Sequence, residues 1–471
     1  MTAEGTTSAG SETGSSSHLV RTLGLWAIVG LGLGYMTPTV VFDTFGIVSA
    51  ETGGVVPTSY LMALVVMMFT AISYGRMTRV FPSAGSAYTY TSATMSPNLG
   101  FLIGWAALLD YLLLPLVNAL IIRSYMYSFF PGAPEWIWVV IYVAVITTMV
   151  VVSMTNTSRV NMILVTFCLV LIGVFFLLSV RALMNGVGNG TIFSMDPAWH
   201  EGVHLGLVIT GATIVAFSFI GFDAITMYTE EAKEPSLVPR AILLALLIGG
   251  GIFFVSAWFT QSMFPDVANF SEESLENSAL PEIAFNVGGQ LFKILLTSAA
   301  FAATMASSLA SHSSVSRLLY VMGRNGRGPI SRFFGYVHPT FHTPAYAIVF
   351  VGLVSLLAIA FNLDFIASLI NFGALIAFTF VNLTVIAYFA FRQREVHSPR
   401  DIWRNIVLPG IGVMLTVLLW VYLSAESTRY GIIWFAIGVV VLLWITRFLR
   451  KPMTIHLGED VPETPVEPKA D

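Results

Sequence analysis

Three acids stand where a lipid-facing helix has no use for them. Asp43, Asp110 and Asp223 each lie within a long, largely apolar run. A carboxylate near the middle of a bilayer costs about 3 kcal/mol or more unless it faces protein or a water-filled cavity. Asp223 belongs to the stretch GATIVAFSFIGFDAITMYTEE, Gly211 to Glu231, which begins as an apolar helix. That stretch passes Phe217, Ser218 and Gly221 and ends on two further acids, Glu230 and Glu231. Asp110 stands beside Tyr111 in GWAALLDYLLLP, and Asp43 follows GLGLGYMTP, Gly30 to Pro38. Such carboxylates can hold a cation or carry a proton. The rings of Tyr35, Tyr111, Phe217 and Phe222 offer cation–π attraction of about 0.5–2 kcal/mol each.

The elements that must place these groups follow from composition. The chain has 471 residues, of which 56% are hydrophobic and 10% charged, against roughly 25% charged in a soluble domain. Its apolar runs are about as long as the 20 residues that cross a hydrocarbon core, so the chain reads as an all-α polytopic membrane protein whose environment is the lipid bilayer. Twelve spans are expected near 22–49, 57–80, 98–122, 135–153, 159–184, 205–230, 238–264, 290–320, 343–361, 365–391, 402–424 and 430–450. With the N-terminus inside, 18 of the 22 Lys and Arg residues fall on the cytoplasmic side; Arg123, Arg181, Lys293 and Arg429 fall elsewhere. Both termini are therefore expected in the cytoplasm. A net charge of -4 without a basic domain argues against nucleic acid as a partner. The single cysteine, Cys168, rules out an intrachain disulfide. Residues 1–18 and 452–471 read as disordered tails, the first lacking the apolar core of a signal peptide.

Two spans are irregular. In span 1, three glycines and Pro38 weaken the helical hydrogen-bond ladder at mid-membrane. In span 6, FSFIGFD from Phe217 to Asp223 does the same. The two are five spans apart, and an odd separation puts the halves in opposite orientations. Interrupted helices at matching places of inverted halves point to a transporter's central site. A GxxxG packing face at Gly30 and Gly34 is the alternative for span 1 alone. Each interruption is followed by the same dipeptide, Phe42-Asp43 and Phe222-Asp223. Each acid is then expected in the first turns of a resuming half-helix, whose N-terminus carries about half a positive charge.

Several stretches carry a resemblance. FTAISYGRMTRVFPSAGSAYTYTSATMSPNLGFLIGW (69–105), EEAKEPSLVPRAI (230–242) and SRLLYVMGRNGRGP (316–329) resemble the amino acid–polyamine–organocation permease family. With VFDTFGIVS (41–49), LLDYLLLP (108–115) and INFGALIAFTFVNL (370–383), the chain is similar to the bacterial putrescine importers of that family over roughly 22–450. The resemblance implies a LeuT-type fold of five plus five inverted helices and two more, with helices 1 and 6 discontinuous. Within one transporter domain, 19–451, repeat one would span 22–184, repeat two 205–391 and the extra helices 402–450. It further implies proton-driven import of putrescine across the cytoplasmic membrane, an aromatic gate at Phe217, an acid at Asp223 and substrate contact at Tyr111. The lysine that some proton-coupled relatives carry in mid-span 5 has no counterpart in MILVTFCLVL, so their coupling residue does not transfer.

The residues themselves bear on the substrate. Permeases of this fold meet an amino acid's carboxylate with free N–H groups at half-helix ends. Acids crowd both ends here and would repel it. A diamine has two ammonium groups and no carboxylate, and desolvating two cations needs carboxylates in place. Tyr35, Asp43, Asp110, Tyr111, Phe217, Gly221 and Asp223 are the expected substrate-binding set. For proton coupling the candidates are Asp223, Glu230, Glu231 and His312, the last in ASSLASHSSVS. Neither a cofactor nor a metal is expected. An amino-acid permease or amine exchanger on the same fold is the alternative. A remote one is an intramembrane zinc enzyme, resting on HEGVH at His200–His204, which spells H-E-x-x-H. That chemistry needs both histidines on one helical face and a third ligand; this copy lies in a loop just after Pro197.

Overall fold

Backbone polar groups in lipid must be satisfied within each crossing segment, which for this sequence means helices. A computed structural model describes residues 23–447 except 83–85, 153–156, 230–231, 267–269, 326–328 and 342. The helices run α1 (Leu25–Met36), α2 (Val40–Thr52), α3 (Val56–Val80), α4 (Ser86–Thr94), α5 (Pro97–Phe129), α6 (Glu135–Val152), α7 (Thr157–Met184) and α8 (Leu205–Val215). Then follow α9 (Leu237–Met263), α10 (Glu272–Glu276), α11 (Leu280–Asn325), α12 (Pro329–Phe334), α13 (Ala345–Ser355), α14 (Leu363–Val385), α15 (Pro399–Ile402), α16 (Leu408–Val421) and α17 (Ala425–Ile445).

Among the described residues, ten helical segments are long and apolar enough to cross a bilayer, and α1 with α2 makes an eleventh bent by 42°. The expected ninth span falls on the shorter apolar helix Ala345–Ile359. The expected tails at 1–18 and 452–471 lie outside the described residues. Some expected boundaries shift. The last span starts at Ala425 because Ser424 caps it, accepting from Ser427 N. Span 11 starts at Pro399 through a Ser398–Asp401 capping box. α11 begins ten residues before the expected 290, running through a kink at Gly289, φ 69°.

Both expected interruptions are present. α1 ends at Met36, Thr37 turns at φ 49°, and α2 begins at Val40 after Pro38. In span 6, α8 tightens into a 3-10 turn over Ala216–Phe219, Ile220 is extended, and Gly221 sits at φ 128°. The chain does not resume as the expected α-helix there. It resumes as a second 3-10 segment, Ala224–Tyr228. The hydroxyls of Thr226 and Thr229 donate to the carbonyls of Asp223 and Thr226, at 2.7 and 2.5 Å, offering the backbone alternatives to the α-helical ladder.

α5 is the pillar of the bundle, buried along most of its length and packed on α14 and α11. Pro115 inside it supplies no N–H, which leaves the carbonyl of Tyr111 without its usual partner. At the far edge, Trp105 and Trp434 stack at 4.9 Å and each indole donates to the other's carbonyl at 2.9 Å, tying α17 to α5. At one end of the bundle Lys233 N donates to Leu23 O at 2.9 Å, closing the start of span 1 on the end of span 6.

Candidate functional site

The two interruptions touch. A side chain at Gly221 would press on Tyr35 and on the backbone of Met36, each at 3.0 Å. With φ at 128° only glycine sits there without strain. The turn lets Asp223 fold back, so that its Oδ1 accepts from Gly221 N at 3.1 Å. The N–H groups of Asp223 and Ala224 face the same carboxylate. The positive end of a short helical segment thus meets Asp223, as expected, though through a tight turn rather than an α-helical N-terminus.

Tyr111 reaches across from α5 and donates its hydroxyl to Asp223 Oδ2 at 3.1 Å. Asp110, the preceding residue, is buried and its Oδ1 has no hydrogen-bond partner. The Tyr35 hydroxyl is likewise buried and unpartnered. It lies within electrostatic reach of both Asp110 and Asp223. Phe217, in the first 3-10 turn, is also buried. Phe222 turns away, joining Tyr74 at 5.9 Å and Phe378 at 5.3 Å in an aromatic cluster. Asp110, Tyr111, Asp223, Tyr35 and Gly221 are therefore brought together around the break. Neither acid has an ion-pair partner among the described residues, where the one ion pair joins Arg123 to Glu135 at 3.4 Å.

Asp43 is not brought to this group. It stands in the first turn of α2, as expected, but its Oδ1 accepts from Tyr125 at 2.8 Å and from Ser278 at 2.6 Å. Its electrostatic neighbours are Tyr60, Tyr125 and Cys168, none of them shared with Asp110 or Asp223. Ser278 belongs to the α10–α11 elbow, which is fastened to the end of α5. Ser124 donates to Glu273 at 2.8 Å, and Arg123 to Asn277 at 3.0 Å. The reason is directional: two donors aimed from α5 and the elbow hold the carboxylate, and an α-helix carries a residue's neighbours on a different face.

The other candidates are dispersed. Glu230 and Glu231 lie outside the described residues. His312 is buried, with Nε2 2.9 Å from the Ile348 carbonyl. It borders a small cavity with Pro115, Tyr142, Ser308 and Ser355, and neither Asp110 nor Asp223 lines that cavity. The HEGVH copy forms a turn at Glu201–Gly202, with His200 bonded to Asp196 O and His204 preceding α8. The helical face that H-E-x-x-H requires is absent, and among the described residues no three metal-ligating side chains converge.

Several polar residues around the breaks, Tyr60, Asn118 and Asn371 among them, were not anticipated. Tyr60 bridges them, its hydroxyl 2.9 Å from Thr44 and 3.2 Å from Ser218. Asn118 donates to Ser307 at 3.3 Å, and Ser307 to the Tyr35 carbonyl at 3.4 Å. Asn371 donates to the carbonyls of Thr213 and Ile214 at 2.9 and 3.1 Å. A usable signal was present: an amide in an apolar run, as in LVNAL or LINFG, faces protein for the same reason an acid does.

The sequence profile of the family described as amino acid permease matches residues 23–443. The chain is 44% identical over 448 residues to the low-affinity putrescine importer PlaP of Escherichia coli strain K12, covering 95% of this chain and 98% of that protein. It is 25% identical over 461 residues to the branched-chain amino acid permease BcaP of Bacillus subtilis strain 168, covering 92% and 95%. A vacuolar cationic amino acid transporter 4 of Arabidopsis thaliana is 27% identical over 391 residues, covering 78% and 63%.

Proposed function

This chain belongs to the amino acid permease family, and we propose that within it the protein imports putrescine, or a diamine of similar length, by proton-coupled secondary transport. The observation that carries this reading is a pair of buried carboxylates, Asp110 and Asp223, without a protein cation among the described residues. Positive charge must reach them from elsewhere, because a buried charge is tolerable only when paired. A diamine supplies it from its two ammonium groups. The unpartnered Asp110 Oδ1 and Tyr35 hydroxyl are the acceptors left open for them, while Tyr111 keeps Asp223 oriented. The identity to a putrescine importer over nearly the whole of both chains supports the same substrate.

Protons are the second source of charge. Import on an inward proton gradient needs the proton and the diamine on the carrier together: the ammonium groups meet Asp110 and the Tyr35 hydroxyl while Asp223 carries the proton, and release of both inside couples the two flows without a dedicated lysine. Buried as they are, the acids and rings communicate with either side only if the half-helices move. The contact of Gly221 with Tyr35 and Met36 makes the two breaks the natural pivots. The Lys and Arg distribution supports cytoplasmic termini and a place in the cytoplasmic membrane, and the odd spacing of the two breaks supports inverted halves at 22–184 and 205–391.

An amino-acid substrate is the second reading, favoured by the matches to branched-chain and cationic amino acid transporters. Purified protein in liposomes with an imposed inward proton gradient decides between them. Labelled putrescine should accumulate, collapse of the gradient should abolish accumulation, and excess neutral amino acids should leave it unchanged. Competition by leucine stronger than by diamines would give the site to amino acids. Accumulation that survives gradient collapse would remove proton coupling.

A further inference from the structure

Asn371 lies on α14, the helix that runs alongside the broken span. Its side-chain amide donates to the carbonyls of Thr213 and Ile214 at 2.9 and 3.1 Å. Both carbonyls belong to the last turn of α8, where regular intrahelical partners run out. One turn of the chain later come Phe217 and Ser218, and then the Gly221–Asp223 turn. Seven residues further along α14, Phe378 packs on Phe222 at 5.3 Å on the other side of the same break. α14 thus grips span 6 above and below its interruption, by an amide at one end and a ring at the other. Asn371 is buried, and its Oδ1 has no hydrogen-bond partner. An amide whose oxygen is left unsatisfied is retained at a cost in desolvation, so bulk alone does not account for it.

We infer that Asn371 is a positioning and specificity-determining residue for transport: by supplying donors to the carbonyls that α8 leaves open, it sets where the break begins and hence the distance from Asp223 to Asp110. The inference rests on the diamine reading of the site. Its consequence is a preference for diamine length. Two carboxylates held at a fixed separation favour one spacing of ammonium groups, and a break free to slide by part of a turn does not. An ordinary packing residue would change abundance or turnover and leave the preference among diamines intact.

The test compares uptake of labelled putrescine with that of the diamine one methylene longer, in liposomes carrying wild type, N371L or N371A. Leucine has nearly the same shape and no donor, so N371L removes the two hydrogen bonds with little change of volume. The expected result is a change of about tenfold in the ratio of apparent affinities for the two diamines, as the loss of two buried hydrogen bonds allows. That change should appear in both variants at matched membrane abundance. N371S, small and still polar, carries the same comparison if the other two do not accumulate in the membrane, with a smaller shift expected. A ratio unchanged from wild type, whatever the fall in turnover, overturns the inference. Wild type that transports neither diamine overturns the diamine reading instead, and the two failures are told apart by that control.

Discussion

Phe42-Asp43 and Phe222-Asp223 are the same dipeptide, each just after the interruption of a broken span, yet the two acids are held in unlike ways. Asp43 accepts from Tyr125 and Ser278, one from the pillar helix and one from the α10–α11 elbow. Asp223 is held by its own turn and by Tyr111, and faces a second acid whose Oδ1 no donor among the described residues reaches. One carboxylate fastens elements of the protein to one another. The other leaves charge to be met from outside. The dipeptide is alike in both, although Asp43 lies inside the first turn of α2 and Asp223 just before the second 3-10 segment. The role depends on which neighbouring helices aim donors at the carboxylate, and those helices are far away in sequence.

The largest effects are expected at Asp110 and Asp223. Asp223→Asn and Asp110→Asn should each reduce putrescine uptake about thirtyfold or more at unchanged membrane abundance, the loss expected when one partner of a buried charge pair is removed. Near-normal uptake by Asp223→Asn in liposomes would end the two-acid account. Tyr111→Leu comes next, raising the apparent KM by about tenfold through loss of both ring and hydroxyl. Tyr111→Phe keeps the ring and should cost only about threefold; equal effects would mean that the hydroxyl alone matters. Asp43→Asn should leave apparent affinity within about twofold but lower thermal stability in detergent, by about 1–3 kcal/mol for a disturbed buried bond. An affinity loss matching that of Asp223→Asn would return Asp43 to the substrate site.

The smallest effect is expected at the α10–α11 elbow. Burial holds the Glu273 carboxyl above its ordinary range, partly offset by the hydrogen bond from Ser124. The folded protein therefore grips that proton more tightly than the unfolded chain does. Stability from this group is present at low pH and falls as pH rises from the ordinary carboxylate range through the raised value. Glu273→Gln should flatten that part of the curve of unfolding midpoint against pH. A slope identical to wild type would show that the elbow does not sense pH through this residue.

Much of the architecture was legible before any coordinates. The spans, the interruptions at Gly30–Pro38 and Phe217–Asp223, and the inward-facing acids follow from hydropathy and from the cost of charge in lipid. Helix ends drifted by a few residues because caps such as Ser424 and the Ser398–Asp401 box act locally, within runs whose average hydropathy barely changes. The site was legible in part. Asp110, Tyr111 and Asp223 announce themselves as polar groups in apolar runs, and Gly221 as a break. Asn371 and Tyr60 carry the same kind of signal more weakly, since an amide or a phenol in a membrane helix is less costly than a carboxylate. The tight turn that bends Asp223 back toward Gly221 N could not be read, because two threonine hydroxyls compete with the helix for its carbonyls only once the chain has turned.

Hydropathy, glycine and proline already say that this chain crosses a membrane many times, where two of its helices break, and which acids must face inward. Those are consequences of transfer free energy and of glycine and proline, each acting within a few residues. Long-range packing is what gathers Asp110 and Asp223 around one break and ties Asp43 to other helices. That choice depends on how α5, α14 and the α10–α11 elbow lie against the two breaks, and side chains more than a hundred residues apart meet there through packing that no local pattern encodes.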